Sequence, residues 1–144
     1  VIAGTRRDAS GQALVEMLAA AGWTVVDRQV VADGVDSVHQ ALVALSDGFN
    51  GLVVTTGGTG FGPRDLTPEG TLLALERQAP GMAEAMRTVN PDGLGRLSRA
   101  VAGTRGQALI LNTPGSTKGA VETLGAVLDV VPHALELMAG GRPH

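Results

Sequence analysis

The stretch GLVVTT, residues 51–56, limits the fold more than any other. It is a short apolar run without polar alternation, the pattern of a strand covered on both faces in a parallel sheet. The segments around it alternate between strand-like and helix-like. SGQALVEMLAAAG (10–22) places Leu14, Met17, Leu18 and Ala21 on one helical face, with Gly22 as a stop signal. WTVVDRQVV (23–31) is β-branched and reads as a strand. ADGVDS then turns into VHQALVALSDG, where Val38, Ala41, Leu42 and Leu45 recur at helical spacing and Asp36 or Ser37 can cap. TPEGTLLALERQ (67–78) reads as a helix with Thr67 at the N-cap and Pro68 at the first helical position.

The second half continues the pattern. GMAEAMRTVN (81–90) is expected to be helical, and PDGLGRLS (91–98) to be a break with a short turn. RAVAGTRGQALILN (99–112) reads as two short strands around Arg105-Gly106, the first weakened by Gly103. TKGAVETLGAVLDVV and HALELMAGG read as a helix interrupted at Pro132, and VIAG (1–4) as the end of a first strand. Alternation of this kind predicts one domain over residues 1–144, an α/β sandwich with a mostly parallel sheet. Ligands of such sheets bind beyond the carboxyl ends of the strands. Asp33, the TTGGTG loop and NTPGSTK all fall at such ends.

Composition removes several function classes. A formal charge of −3 offers no field for nucleic acid, and aromatics at 2% provide no stacking platforms. No apolar run approaches the ~20 residues needed to cross a bilayer, so no membrane role is expected. The start shows no signal peptide, which leaves the cytoplasm as the default location. Cysteine is absent, excluding disulfides and thiolate metal sites. His39, His133 and His144 are isolated and show no metal spacing.

Two motifs carry chemistry. Thr55, Thr56, Gly57, Gly58, Thr59 and Gly60 form a loop whose bare backbone lets N–H groups approach anionic oxygens ahead of a helix start. The loop fits neither the Walker pattern nor the dinucleotide fingerprint; the bland alternative is a tight turn needing positive φ. Arg64-Asp65 follows, either as a surface ion pair or with Asp65 holding Mg²⁺ between phosphates, since magnesium takes one or two carboxylates plus substrate oxygens. Asp33 could add a second carboxylate, although Asp-Gly is also ordinary turn chemistry. In NTPGSTKG (112–119), Lys118 is the single lysine among eleven basic residues. A cation at a helix N-terminus opposes the dipole there, so it is better explained by an anionic partner. Ser116 lies in no G-x-S-x-G elbow, which argues against a serine hydrolase.

The order and spacing of these motifs resemble the MogA/MoaB family of molybdenum-cofactor biosynthesis proteins, which includes the G domain of gephyrin. The resemblance covers nearly the whole chain. It is carried by DASGQALVEML (8–18), VVADG (30–34), TTGGTGFGPRDLTPEGT (55–71), PGMAEAMR (80–87), LSRAVAG (97–103) and ALILNTPGSTKGAVE (108–122). It implies a three-layer α/β/α sandwich, a homotrimer, and Mg²⁺- and ATP-dependent adenylylation of molybdopterin with release of pyrophosphate. Asp33 and Asp65 match the family's catalytic, metal-handling aspartates. Thr55–Gly60, Arg64, Thr67, Glu69, Asn112, Pro114, Gly115, Ser116 and Lys118 fall on motifs that bind the pterin and phosphates. Gly4-Thr5-Arg6 stands where many members have Ser-Asp-Arg, one carboxylate fewer. Three rival readings stand beside the enzyme: a pterin carrier of the MoaB type without turnover, molybdate insertion of the kind found in larger proteins, and an oligomeric scaffold.

Overall fold

The computed structural model describes residues 8–90 and 93–141; the strand expected at 1–4 and the departure at Gly4–Arg6 lie outside the described residues. The elements in chain order are α1 (Ala9–Ala20), α2 (Val35–Ser46), β1 (Leu52–Thr56), α3 (Thr67–Ala74), β2 (Arg77–Gln78), α4 (Pro80–Thr88), β3 (Ala102–Arg105), β4 (Ala108–Thr113), α5 (Thr117–Gly125) and α6 (Val131–Met138). Short 3₁₀ turns cover Leu94–Leu97 and Leu128–Val130. None of the described helices is long and apolar enough to cross a membrane.

Sequence signals set most helix ends. The Asp8 side chain accepts from Gly11 N–H at 3.1 Å and caps α1. At its far end Gly22 takes φ +90°, and Trp23 N–H returns to the Leu18 carbonyl. Pro68, Pro80 and Pro132 sit in the first turns of α3, α4 and α6, where a missing N–H costs nothing. Pro132 therefore starts a new helix after the break rather than interrupting one.

The sheet has the order β1-β4-β3-β2. β4 is buried along its whole length and lies between β1 and β3. Its side chains alternate between two cores. Leu109 and Leu111 join Leu14, Met86, Leu124 and Val131 under α1, α4, α5 and α6, while Ala108 and Ile110 join Leu42, Val53 and Ala74 under α2 and α3. This is the three-layer α/β/α arrangement, with each fully buried Leu or Ile worth ~1.5–3 kcal/mol of apolar burial.

Among the described residues the sheet is parallel between β1 and β4 and antiparallel between β4 and β3 and between β3 and β2, so the expected mostly parallel sheet is met in part. Four local expectations are corrected. Residues 23–31 are not in a strand: they pair with none of the described strands, and Val26 is 73% exposed. The helix after the glycine loop stops at Ala74 rather than Gln78, because Glu76 and Ala79 N–H bond the Thr104 and Ala102 carbonyls and draw 77–78 into β2. Thr67 is the first helical residue rather than the cap, and Gly34 rather than Asp36 or Ser37 occupies the N-cap position of α2.

Candidate functional site

The site follows from strand register. β1 and β4 pair in parallel with Thr55 beside Asn112 and Thr56 beside Thr113, so the two strands end level. The loops that follow, Gly57–Gly60 and Pro114–Ser116, therefore emerge side by side. Gly57 N–H bonds the Thr113 carbonyl at 2.9 Å, the Thr113 hydroxyl donates to the Thr55 carbonyl at 2.8 Å, and the Thr56 hydroxyl donates to the Pro114 carbonyl at 2.9 Å. Thr56 Oγ1 also lies 3.0 Å from Ser10 Oγ, tying in the first turn of α1. A Cβ on Gly115 would stand 3.4 Å from the Gly57 Cα. The two glycines meet backbone to backbone.

Gly58 requires its missing side chain twice over. Its φ is +70°, and a Cβ there would sit 2.2 Å from Thr67 Oγ1, while its carbonyl accepts from Thr67 N–H at 3.1 Å. This fixes the start of α3 against the loop. Beyond it, Gly60 and Gly62 make room for Asp65, since a Cβ on either would lie 2.9 Å from Asp65 Oδ2. That oxygen accepts from Gly62 N–H at 2.8 Å, and Oδ1 carries no hydrogen bond among the described residues. Asp65 is half-buried, whereas Arg64 beside it is exposed.

Arg99, which lies in the LSRAVAG segment but receives no role from the sequence, organises this loop. Its Nε donates to the Gly60 carbonyl at 2.8 Å, its Nη2 to the Asp65 carbonyl, and Nη1 to Glu69 Oε2 at 2.6 Å; its backbone N–H donates to the Thr59 carbonyl at 2.8 Å. The hydrogen bond from Arg99 holds the Glu69 carboxyl below its ordinary value, outweighing the opposing cost of burial. Glu69 is thus paired with Arg99, with its side chain still 41% exposed. No local spacing signals this. Arg99 lies 34 residues from Asp65 in the chain and meets it only because β3 returns beside β4.

Asn112 also departs from its expected place at the substrate. It is fully buried, donating to Thr55 Oγ1 at 2.9 Å and Thr71 Oγ1 at 3.0 Å and accepting from Val101 N–H at 3.1 Å. The side chain joins β1, α3 and the approach to β3 from inside the protein. Thr59 is likewise buried.

The remaining expected residues divide between two cavities. Asp33, exposed ahead of α2, shares a cavity of about 700 Å³ with Thr55–Gly58 and Thr67; its apolar part runs between β1 and residues 23–31. Pro114, Ser116 and Lys118 line a second cavity of about 240 Å³ between α4, the 94–97 turn and α5. Asp65 lies on the loop and lines neither. Ser116 caps α5, its Oγ accepting from Gly119 N–H at 3.1 Å, and Lys118 is exposed in the first turn of α5. Asp33 and Asp65 offer hard carboxylate oxygens of the kind that Mg²⁺ takes in ones or twos beside phosphate. Among the described residues no three His, Cys, Asp or Glu cluster to form a cage for a metal by themselves. A single oriented carboxylate beside the glycine loop, Asp65, fits a metal that arrives with phosphate.

Comparison with known proteins bears on family and fold. A family model described as "Probable molybdopterin binding domain" matches residues 1–133. A molybdopterin adenylyltransferase of Helicobacter pylori (strain J99 / ATCC 700824) is 37% identical over 144 residues, covering 95% of this chain and 81% of that protein. The molybdopterin adenylyltransferase of Escherichia coli K12 is 36% identical, covering 95% and 79%. The crystal structure of the molybdopterin biosynthesis enzyme MoaB from Thermus thermophilus superposes with a TM-score of 0.88 at 45% identity, over 97% of this chain and 89% of that one. On sequence and fold together, the chain belongs to the molybdopterin-binding domain family of molybdenum-cofactor biosynthesis proteins, the MogA/MoaB family.

Proposed function

We propose that this protein is a molybdopterin adenylyltransferase, transferring AMP from ATP to the terminal phosphate of molybdopterin. The observation that supports this most is the level ending of β1 and β4. It sets two glycine loops back to back, with an oriented aspartate on one and a lysine-bearing helix N-terminus after the other. In the reaction an oxygen of the pterin's phosphate attacks the α-phosphorus of ATP. A P–O bond forms there, the bond to the β,γ-phosphates breaks, and pyrophosphate leaves with the electron pair. A phosphate monoester has a second pKa of ~6 and is largely dianionic at neutral pH, so it requires no general base. A site without cysteine or tyrosine is adequate for that chemistry.

The obstacle is repulsion between two polyanions, and the residues act by positioning and charge neutralisation. Backbone N–H groups of Gly57–Gly60 would hold phosphate or pterin oxygens. Ser116 and Lys118 would take the other anion at the start of α5, and exposed Arg64 would offset developing charge. Asp65, with Asp33 from the lining of the larger cavity, would hold Mg²⁺, which when bound screens the triphosphate. Assembly as a homotrimer and a cytoplasmic location belong to the same reading and rest on the family resemblance.

The test is turnover. Molybdopterin, ATP and Mg²⁺ should yield pyrophosphate and adenylylated pterin, and Asp65→Asn should abolish product while pterin binding persists. Wild-type protein that binds both ligands yet forms no product would refute the transfer and leave the pterin carrier.

A further inference from the structure

Residues 57–66 contain four glycines and no regular structure, yet Asp65 within them is half-buried and oriented. The loop's internal bonds are few: Asp65 N–H to the Gly62 carbonyl at 3.1 Å, Leu66 N–H to the Arg64 carbonyl at 3.0 Å, and Gly62 N–H to Asp65 Oδ2. The Gly60 and Asp65 carbonyls both turn inward, and Arg99 is the partner of each. From its place just ahead of β3, Arg99 contacts residues 59, 60, 65 and 69 at once, tying both ends of the loop to the sheet. A guanidinium has five N–H donors in a rigid fork. These are directed at loop carbonyls and at Glu69, which neutralises the charge, so its donors are occupied within the protein.

We infer that Arg99 is a positioning residue for the adenylyl transfer, holding the Asp65 carboxylate in place through the Gly60 and Asp65 carbonyls. The inference rests on the reading of the site proposed above. Lysine cannot substitute, because a point charge with rotating donors does not reproduce the fork. A displacement of ~1 Å at a positioned group can cost on the order of 100-fold in rate.

The experiment compares wild type with Arg99→Lys and has two arms. Amide exchange of Gly62, measured by NMR, reports the bond to Asp65 Oδ2 whether or not the protein turns over. It should accelerate roughly tenfold in the variant, while Gly57, bonded to the Thr113 carbonyl, stays unchanged. Unchanged Gly62 exchange would overturn the inference. In the turnover arm kcat should fall roughly 30–100-fold with KM for ATP within about twofold. A kcat for Arg99→Lys within about twofold of wild type would mean that Asp65 does not depend on Arg99 and would also overturn the inference. If wild type makes no product, the adenylylation reading fails by itself, and Gly62 exchange still decides whether Arg99 sets Asp65. Glu69→Gln is the milder second variant, should Arg99→Lys fail to fold. It loosens one anchor of four, so Gly62 exchange should rise by roughly twofold or more but less than in Arg99→Lys; no change there counts against the inference.

Discussion

Replacing Gly58 by alanine should be the most damaging small change in the loop, and its magnitude can be worked from two separate features. The first is conformation. At φ +70° an L side chain costs ~1–2 kcal/mol. The second is space. The added Cβ would stand 2.2 Å from Thr67 Oγ1 and 3.1 Å from Thr67 Cβ, at the first residue of α3, so the helix start or the loop must shift. Overpacking of this kind typically costs ~1–3 kcal/mol more. Gly58→Ala should therefore lose ~2–5 kcal/mol. Gly106→Ala is the control for conformation alone, because Gly106 has φ +56° and open space around it, and it should lose only ~1–2 kcal/mol. Urea denaturation with a common m-value gives both numbers. Adding Thr67→Ala to Gly58→Ala removes the obstructing hydroxyl and should recover part of the difference, a coupling that a double-mutant cycle reads directly. If Gly58→Ala costs no more than Gly106→Ala, or if removing the Thr67 side chain recovers nothing, the proposed lock between loop and α3 is refuted.

Two further perturbations test the joints around the loop. Asn112→Ala should destabilise by ~2–4 kcal/mol in urea denaturation, because Val101 N–H and two threonine hydroxyls lose a buried partner; a loss under ~1 kcal/mol would contradict the buried role. The Glu69 carboxyl is held below its ordinary value near 4.5, so its contribution to stability is fully present above that pH. It is lost as pH falls through the still lower folded value, and Glu69→Gln should flatten the acid limb of a stability-versus-pH profile in that window. An unaltered acid limb would show that the pairing with Arg99 does not contribute.

Local chemistry made the helix starts and stops readable, and long-range contacts hid the rest. Gly22, Pro68 and Pro132 act through their own backbone constraints, so their effect needs no partner. The hairpin around Gly106 was equally local. WTVVDRQVV has strand composition, but a strand needs a neighbour to receive its amides, and among the described residues the stretch faces β1 across a cavity with no strand beside it. Gly103 illustrates the same limit from the other side. It reads as a weak point in β3, whereas a Cβ there would lie 2.3 Å from the Arg77 carbonyl. The bare position admits the backbone of β2, and that pairing cuts α3 short. Composition reported the glycine; only the fold reported what comes close to it.

The candidate site divides along the same line. Asp65 and the glycines around it are neighbours in sequence, so RD-x-TP and TTGGTG could be read as one unit. Arg99 and Asn112 reach that unit from 34 and 57 residues away, through β3 and β4. Asn112 faces inward and Arg99 is partly buried, and both are spent on carbonyls, hydroxyls and a carboxylate of the loops, α3 and the strand ends. Shifting β1 by one residue against β4 would exchange Thr55 for Thr56 beside Asn112 and turn each hydroxyl to the opposite face. The Asn112–Thr55 bond would break, and the Gly57–Gly115 approach would be offset by about one residue rise, ~3.3 Å. Register, held in part by a buried asparagine, is thus the variable that keeps the two loops together, and residues that touch no ligand can matter to the chemistry as much as those that do.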